Sequence, residues 1–140
     1  MITTISGLRT AFPRCTGRMT DDRGYAAWFR TSPAHDGSPH VEKVGNEWRY
    51  IVTERGMELQ RRTTVDADEV LYWLVKDVTF ELASRYELEH RSPSLDFRRL
   101  LFAKEEELLG EISPEWAQRY AAEMQTVLQQ HPFVDGPHDP

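Results

Sequence analysis

The spacing of apolar residues along the chain changes near Val65. Before that residue, short runs alternate between apolar and polar side chains and turn-forming residues are frequent, as is typical of strands joined by short loops. After it, apolar residues recur every three to four positions, which is the period of an amphipathic helix. The pattern predicts an α+β fold, in which a small antiparallel β-sheet in the N-terminal half packs against three C-terminal α-helices.

A β-hairpin is predicted near residues 47–64. Trp48, Tyr50 and Val52 alternate with their neighbours, as expected for a strand with two different faces. Gly56 follows in the short loop ERG, where a tight hairpin turn needs a residue with a positive φ angle. The chain is then expected to continue as the return strand.

The residues ahead of this hairpin give weaker signals. The aromatic-rich segment YAAWFR, residues 25–30, follows a turn-like sequence and predicts another strand. Residues 31–40 contain two Pro, one Gly and two Ser, which predicts a loop. The first twenty residues leave two alternatives open, an edge strand in ITTIS or a helical turn in GLRTAF.

The first of the three predicted helices starts after Asp66. This residue is a candidate N-cap, and Glu69 lies three positions later, which is the spacing of a capping box. The acidic residues at this end also suit the positive end of the helix dipole. We expect the helix to continue to about Glu89, ahead of the sequence RSPS.

The second helix is expected to start near Leu95 or Asp96 and to end at Gly110, because glycine is the usual residue just past a helix C-terminus. Its inward stripe is predicted to consist of Phe97, Leu100, Leu101, Leu108 and Leu109.

The third helix is predicted to begin at Ser113 as N-cap, with Pro114 in the first helical position. Pro132 cannot continue it, so the helix should end just before that residue. Residues 134–140 are expected to form a flexible tail. The sequence shows no repeat or long linker, and we expect one domain over residues 1–140.

Charge is divided unevenly within the net −6 of the chain. Residues 1–65 contain ten Lys or Arg and seven Asp or Glu, whereas residues 66–140 contain seven and sixteen. The acidic half argues against nucleic-acid binding, which depends on neutralising phosphates. It is compatible with a basic protein partner, and also with helix faces that are merely solvated.

No sequence motif points to catalysis, a cofactor or a metal. The chain lacks the glycine-rich nucleotide loops, HExxH and GxSxG, and its five His have no metal-ligand spacing with one another or with Cys15. His35, Asp36 and His40 in the predicted loop are only a weak hint of a metal site. One cysteine excludes an intramolecular disulfide, and no apolar run is long enough to span a membrane. We therefore expect a cytoplasmic protein that does not bind membranes.

Three charged residues of the first predicted helix fall within its apolar arc. Asp77, Glu81 and Arg85 are spaced at i, i+4 and i+8, and charges on an apolar face are costly unless they are paired. Three alternatives remain open. The residues form a half-buried ion ladder, a polar patch on a groove that receives a partner, or an acid–base pair for catalysis.

Further charges cluster at residues 86–102, YELEHRSPSLDFRRLLF, where one predicted helix ends and the next begins. Two helix ends that meet explain most of this clustering, and Glu87 and Arg91 have the spacing of a helical ion pair. A protein-binding surface is the preferred interpretation of this region. The candidate partner-binding residues are Asp77, Glu81, Arg85, Glu87, Glu89, His90, Arg91 and Asp96.

Three segments resemble a known group of proteins: TERG with its return strand, DEVLYWLVKDVTFELASRYELEHR, and DFRRLLFAKEEELLGEISPEWAQRYAAEMQTVLQQHPF. Over roughly residues 50–133 the chain is similar to small bacterial immunity proteins of polymorphic-toxin systems, of the families numbered sixty-one and sixty-three or the TriTu type. The resemblance implies a cytoplasmic toxin inhibitor in interbacterial competition. Such a protein binds a cognate secreted toxin and blocks its active site or substrate access. The toxins of such systems are commonly nucleases, deaminases or ADP-ribosyltransferases.

Two other functions stay open at this point. One is a small hydrolase-type enzyme that uses Asp77 or Glu81 as a base with His90 nearby, and the other is a regulatory adaptor without a toxin partner. For the preferred function we expect a cognate toxin protein as the partner, no nucleic acid, and a monomer or weak dimer.

Overall fold

The computed structural model describes residues 1–20 and 23–136. Within them the elements in chain order are helix α1 (Ile5–Thr16), a 3₁₀ helix (Tyr25–Trp28), strands β1 (Asp36–Val44), β2 (Glu47–Glu54) and β3 (Met57–Thr64), and helices α2 (Ala67–His90), α3 (Phe97–Ile112) and α4 (Pro114–Gln130). The predicted α+β class is confirmed, with a three-stranded antiparallel sheet in the N-terminal half and three helices after it.

The predicted hairpin is formed by β2 and β3. The sheet order is β1-β2-β3, and Tyr50 of β2 stands opposite Arg62 of β3. Arg55 and Gly56 form the two-residue connection, with φ angles of 52° and 79°. Positive φ at both central positions is the requirement of the type I′ turn, whose twist matches that of the flanking strands.

One face of β2 anchors the start of α2. Trp48 and Tyr50 are buried, and the Tyr50 ring meets the Trp73 ring edge-on at a centroid distance of 5.9 Å. The guanidinium of Arg62 lies 5.8 Å from the Tyr50 ring centroid and 5.6 Å from that of Trp73. A cation over both rings covers aromatic surface that the narrow sheet leaves open.

The prediction of a strand over residues 25–30 is wrong, since Tyr25–Trp28 is a 3₁₀ helix. Tyr25 is buried, and its ring meets the ring of Trp28 edge-on at 5.0 Å. In a 3₁₀ helix side chains three apart lie above one another, so this pair stabilises the helical turn. Aromatic content alone did not distinguish it from a strand.

The predicted loop at residues 31–40 is too long, because β1 already begins at Asp36. Pairing with β2 is irregular between Asp36 and Pro39, and Gly37 has a φ of 86° in this interval. Proline is tolerated here because β1 is an edge strand.

The helical alternative is the correct one for the N-terminal residues. The Thr4 hydroxyl accepts a 3.0 Å hydrogen bond from the Gly7 amide and caps α1. Leu8 and Phe12, one turn apart, are both buried. Phe12 packs on Phe29 at a ring centroid distance of 6.2 Å, which joins α1 to the segment after the 3₁₀ helix.

The ends of the later helices follow their capping residues. An Asp66 carboxylate oxygen accepts a 2.9 Å bond from the Asp68 amide, so the predicted start of α2 is confirmed. Asp96 caps α3, and Ser113 caps α4 with Pro114 next to it, as predicted. The prediction that Gly110 ends α3 is wrong. The helix continues to Ile112, which is buried. Ser113 follows directly and is both the C-cap of α3 and the N-cap of α4.

The described chain divides into two compact units within α2, between Val75 and Lys76. The first unit holds residues 1–18 and 23–75, and the second holds residues 19–20 and 76–136. One domain over the whole chain stays a prediction. In the predicted tail, Val134 and Asp135 are hydrogen-bonded to the Asp96 region, and residues 137–140 lie outside the described residues.

Candidate functional site

All eight predicted partner-binding residues lie in the second unit, on α2 from Asp77 onward and in the connection to α3. They do not form one network. Six of them form two ion pairs, Glu81 with Arg85 and Glu87 with Arg91, a stacked histidine at the end of α2 and a buried carboxylate that caps α3. The other two are Asp77, which is half-buried, and Glu89, which is exposed.

The charged ladder is partly joined by contacts. Glu81 and Arg85 form an ion pair of 2.9 Å with the favourable i, i+4 orientation, and both side chains are substantially exposed. Asp77, one turn earlier, is half-buried, and its negative charge contributes to raising the pKa of the Glu105 carboxyl. The ladder therefore lies at the edge of the buried face of α2, within reach of another molecule.

Glu87 and Arg91 form the second pair, and the pair is strongly asymmetric. The Glu87 side chain is 5% exposed while that of Arg91 is 54% exposed, and their closest N–O distance is 2.6 Å. A second bond of 3.0 Å from Arg91 Nε makes the contact bidentate. The hydrogen bonds that Arg91 donates to Glu87 raise the pKa of Arg91 above its ordinary value. A buried carboxylate thus holds a surface guanidinium in a fixed orientation.

His90 is held by the residue one turn before it. Its ring stacks on Tyr86 at a centroid distance of 4.0 Å, and its Nδ1 lies 2.9 Å from the Tyr86 carbonyl oxygen. The Tyr86 ring also receives the Lys104 ammonium of α3 at 4.5 Å from its centroid. Glu89, between these groups in sequence, is exposed.

Asp96 is buried and serves the structure of the helix junction. Its carboxylate accepts bonds from the Arg98 amide at 2.9 Å, the Arg98 guanidinium at 2.8 Å and the Val134 amide at 2.9 Å. The Arg98 bond, with these amides, holds the pKa of Asp96 well below its ordinary value. Asp135 extends the cluster by accepting bonds from the Asp96 amide and the Arg99 guanidinium. Asp96 therefore holds the start of α3 and the segment at Val134 together at the edge of the candidate site.

The sequence-based list missed the exposed apolar residues beside these charges. Phe80 and Leu88 are exposed on α2, and Phe97 is exposed at the start of α3, so the prediction that Phe97 points inward is wrong. Helical side chains lean toward the N-terminus, and the first residue of a helix therefore projects past its end instead of onto the core. Phe80 and Leu88 are two turns apart on one side of α2, a spacing that was visible in the sequence.

The sequence-based list also missed Glu105, which lies in the core of the second unit with 3% exposure. Its carboxylate accepts a 2.8 Å bond from the Tyr120 hydroxyl, and its other oxygen lies 3.1 Å from the Thr79 hydroxyl. Burial raises the pKa of Glu105, although the Tyr120 bond and the nearby charge of Lys76 act in the opposite direction. Its position four residues after Leu101 and three before Leu108 placed it on the apolar stripe of α3.

The groups proposed for catalysis have separate partners. Glu81 binds Arg85, whereas His90 is engaged by Tyr86. Nine residues separate Glu81 from His90, which corresponds to two and a half helical turns, so the two side chains project from opposite sides of α2. Glu81 and His90 therefore do not share the site that an acid–base mechanism between them requires.

The described residues also bear on metal binding and on membrane insertion. Residues 1–20 and 23–136 contain no cluster of three or more His, Cys, Asp or Glu side chains that could hold a metal ion. In the same part of the chain, none of the helices combines the length and apolar character needed to cross a membrane.

Comparison with known proteins gives one family. The sequence model of a family described as immunity protein 63 matches residues 45–126, which is more than half of the chain. The matched segment begins just before β2 and ends within α4, so it includes every predicted partner-binding residue. No curated protein and no solved structure matches the chain.

Proposed function

The chain belongs to the immunity protein 63 family, and from this membership we propose that it binds a cognate secreted bacterial toxin and neutralises it. Binding blocks the toxin's active site or the access of its substrate. The observation that carries the proposal is the family match over the hairpin and the helices, and the charged surface of the second unit supports it. The protein acts in the cytoplasm as a monomer or weak dimer.

The toxin contacts the surface formed by the end of α2 and its junction with α3. Glu81, Arg85, Glu89 and Arg91 present exposed charges there. Glu87 orients Arg91 from below, and Asp96 holds the start of α3 in place, so these two buried carboxylates position the surface. Charged rims of this kind speed association and reject unsuitable partners.

Co-expression tests the function directly. The probe is the toxin domain encoded immediately upstream of the gene for this chain, produced with and without the chain in the same cells. We expect growth to be restored and the two purified proteins to elute as one complex in size-exclusion chromatography. Failure to form a stable complex with that domain overturns the proposal.

A charge reversal tests the location of the surface. Glu81→Lys and Glu89→Lys are expected to slow toxin association several-fold at low salt, with a smaller effect at high salt. Glu106→Lys is the matched control, because it makes the same charge change on an exposed residue of α3. Nine residues separate Glu106 from Phe97, so the two side chains project from opposite sides of α3. If all three variants associate at the wild-type rate, the site is wrong although neutralisation itself stands.

A further inference from the structure

Three large apolar side chains are exposed side by side on the second unit. Phe80 is 54% exposed, Leu88 is 65% exposed and Phe97 is 52% exposed. Together with Ser84 and the buried Leu101 they line one groove between α2 and α3. Single exposed apolar residues are ordinary, but a contiguous group that lines a concave surface is typical of an interaction site.

The size of the groove indicates what it can hold. It encloses about 210 Å³, below the roughly 300–1,000 Å³ of sites that bind small molecules and cofactors. Such a volume is suited to one large side chain supplied by another protein. The exposed apolar walls and the Leu101 floor favour an apolar side chain over a polar one.

Fixed charges stand at the edge of the groove. The Glu87–Arg91 pair lines it directly, and its bidentate contact fixes the orientation of the guanidinium. Glu81 lies two helical turns before Leu88 and therefore on the same side of α2. An apolar centre within a charged rim is the usual anatomy of a binding hot spot.

The groove lies in the acidic half of the chain. Residues 66–140, which include all of α2 and α3, contain sixteen Asp or Glu and seven Lys or Arg. A complementary occupant carries Lys or Arg beside its apolar side chain. A second copy of this chain is a poor occupant, because a two-fold contact at this groove brings the acidic halves of two copies together.

We propose that the groove formed by Phe80, Leu88 and Phe97 receives an apolar side chain of the toxin from a segment that also carries Lys or Arg. The inference rests on the proposed toxin-binding function and identifies the anchor of that interface. The apolar walls provide most of the affinity, while Glu81 and the acidic half around the groove steer the basic segment into place.

Alanine variants of the two exposed anchors on α2 test the proposal. Phe80→Ala and Leu88→Ala should each weaken binding of the purified toxin domain by about tenfold or more, mainly through faster dissociation. Leu59→Ala is the matched control, because Leu59 on β3 is 58% exposed and its removal should change the affinity less than about twofold. Circular dichroism and urea unfolding confirm that all three variants are folded.

The outcomes separate this inference from the proposed function. If the wild-type chain does not bind the toxin domain, the proposed function fails and the inference fails with it. If the wild-type chain binds but Phe80→Ala and Leu88→Ala bind equally well, only the groove assignment is overturned. Sedimentation that shows a dimer dissolved by Leu88→Ala, with toxin affinity unchanged, identifies a second copy as the occupant and also overturns it.

Discussion

The Tyr120 hydroxyl donates a 2.8 Å hydrogen bond to the buried Glu105 carboxylate. Thr79, whose hydroxyl lies 3.1 Å from the other carboxylate oxygen, brings α2 into the same cluster. One side chain of α3 is therefore bonded to both neighbouring helices of the second unit. The Thr79 hydroxyl also lies 3.1 Å from the Lys76 carbonyl oxygen. It can donate there when a protonated Glu105 donates to it, so the geometry accommodates both charge states of the carboxyl.

Removal of the Tyr120 hydroxyl should destabilise the protein. Tyr120→Phe keeps the ring but leaves a buried carboxylate oxygen without its donor, which costs about 1–3 kcal/mol. Urea unfolding followed by tryptophan fluorescence measures the change. Tyr86→Phe is the control, because the contacts of that ring with His90 and Lys104 do not depend on its hydroxyl. Equal stability of Tyr120→Phe and wild type would show that the bond contributes nothing.

The raised pKa of Glu105 predicts a specific pH dependence. A carboxyl that binds its proton more tightly in the folded state than in the unfolded state stabilises the fold most at low pH. This contribution declines as pH rises from the ordinary value of 4.5 through the raised folded value. Glu105→Gln removes the titration but keeps an oxygen that can accept from Tyr120. The free energy of unfolding of Glu105→Gln relative to wild type should therefore increase across this interval.

Urea unfolding at several pH values between 4.5 and 8 provides the measurement. Lys76 and Asp77 on α2, whose charges act on Glu105, are present in both proteins, so the comparison isolates the change at position 105. A difference between Glu105→Gln and wild type that is constant with pH contradicts a raised pKa. A difference that decreases as pH rises indicates a lowered one.

Local signals in the sequence were sufficient for the hairpin and the helix starts. The turn at Gly56 and the caps at Asp66, Asp96 and Ser113 each depend on residues within three or four positions. The 3₁₀ helix at Tyr25–Trp28 was not recognised, because its aromatic composition favours a strand. The contact between the Tyr25 and Trp28 rings stabilises a helical turn instead.

The candidate site was only half accessible to sequence reasoning. The spacing of Glu81 with Arg85 and of Glu87 with Arg91 predicts both ion pairs, since helix geometry alone brings residues four positions apart together. The burial of Glu87 and the exposure of Phe97 depend on how α3 meets α2 in space. No periodicity within either helix contains that information.

Two glycine substitutions should have opposite effects on stability. Gly56 has a φ of 79° and open space around it, so Gly56→Ala is expected to cost about 1–2 kcal/mol through backbone strain. Gly110 lies inside α3, and a methyl group there would meet the Ala117 Cβ at 3.6 Å, which is an ordinary contact. Gly110→Ala should stabilise the helix by about 0.5–1 kcal/mol. Thermal unfolding of both variants and of the wild type under identical conditions measures the two changes in melting temperature. Changes of the same sign in both variants would contradict the expectation.

Substitutions of Asp96 separate its role as a cap from its role as a charge. The lowered pKa means that the charge stabilises the fold above the ordinary value of 3.8 and that this contribution is lost as pH falls below it. Asp96→Asn retains a capping oxygen but loses the charged pair with Arg98, so its stability deficit at neutral pH should shrink in acid. Asp96→Ala also removes the cap, which adds about 1 kcal/mol of destabilisation at every pH.

Asp135→Asn is the matched control for Asp96→Asn, because Asp135 pairs with Arg99 in the same cluster but is exposed. Solvent screens such a pair, so its loss should change stability much less than the loss of the buried charge. Urea unfolding at pH 3 and at pH 7 provides the comparison. A deficit of Asp96→Asn that is as large at pH 3 as at pH 7 would mean that the amide disturbs the helix junction by its shape, and that the charge of Asp96 does not stabilise the start of α3.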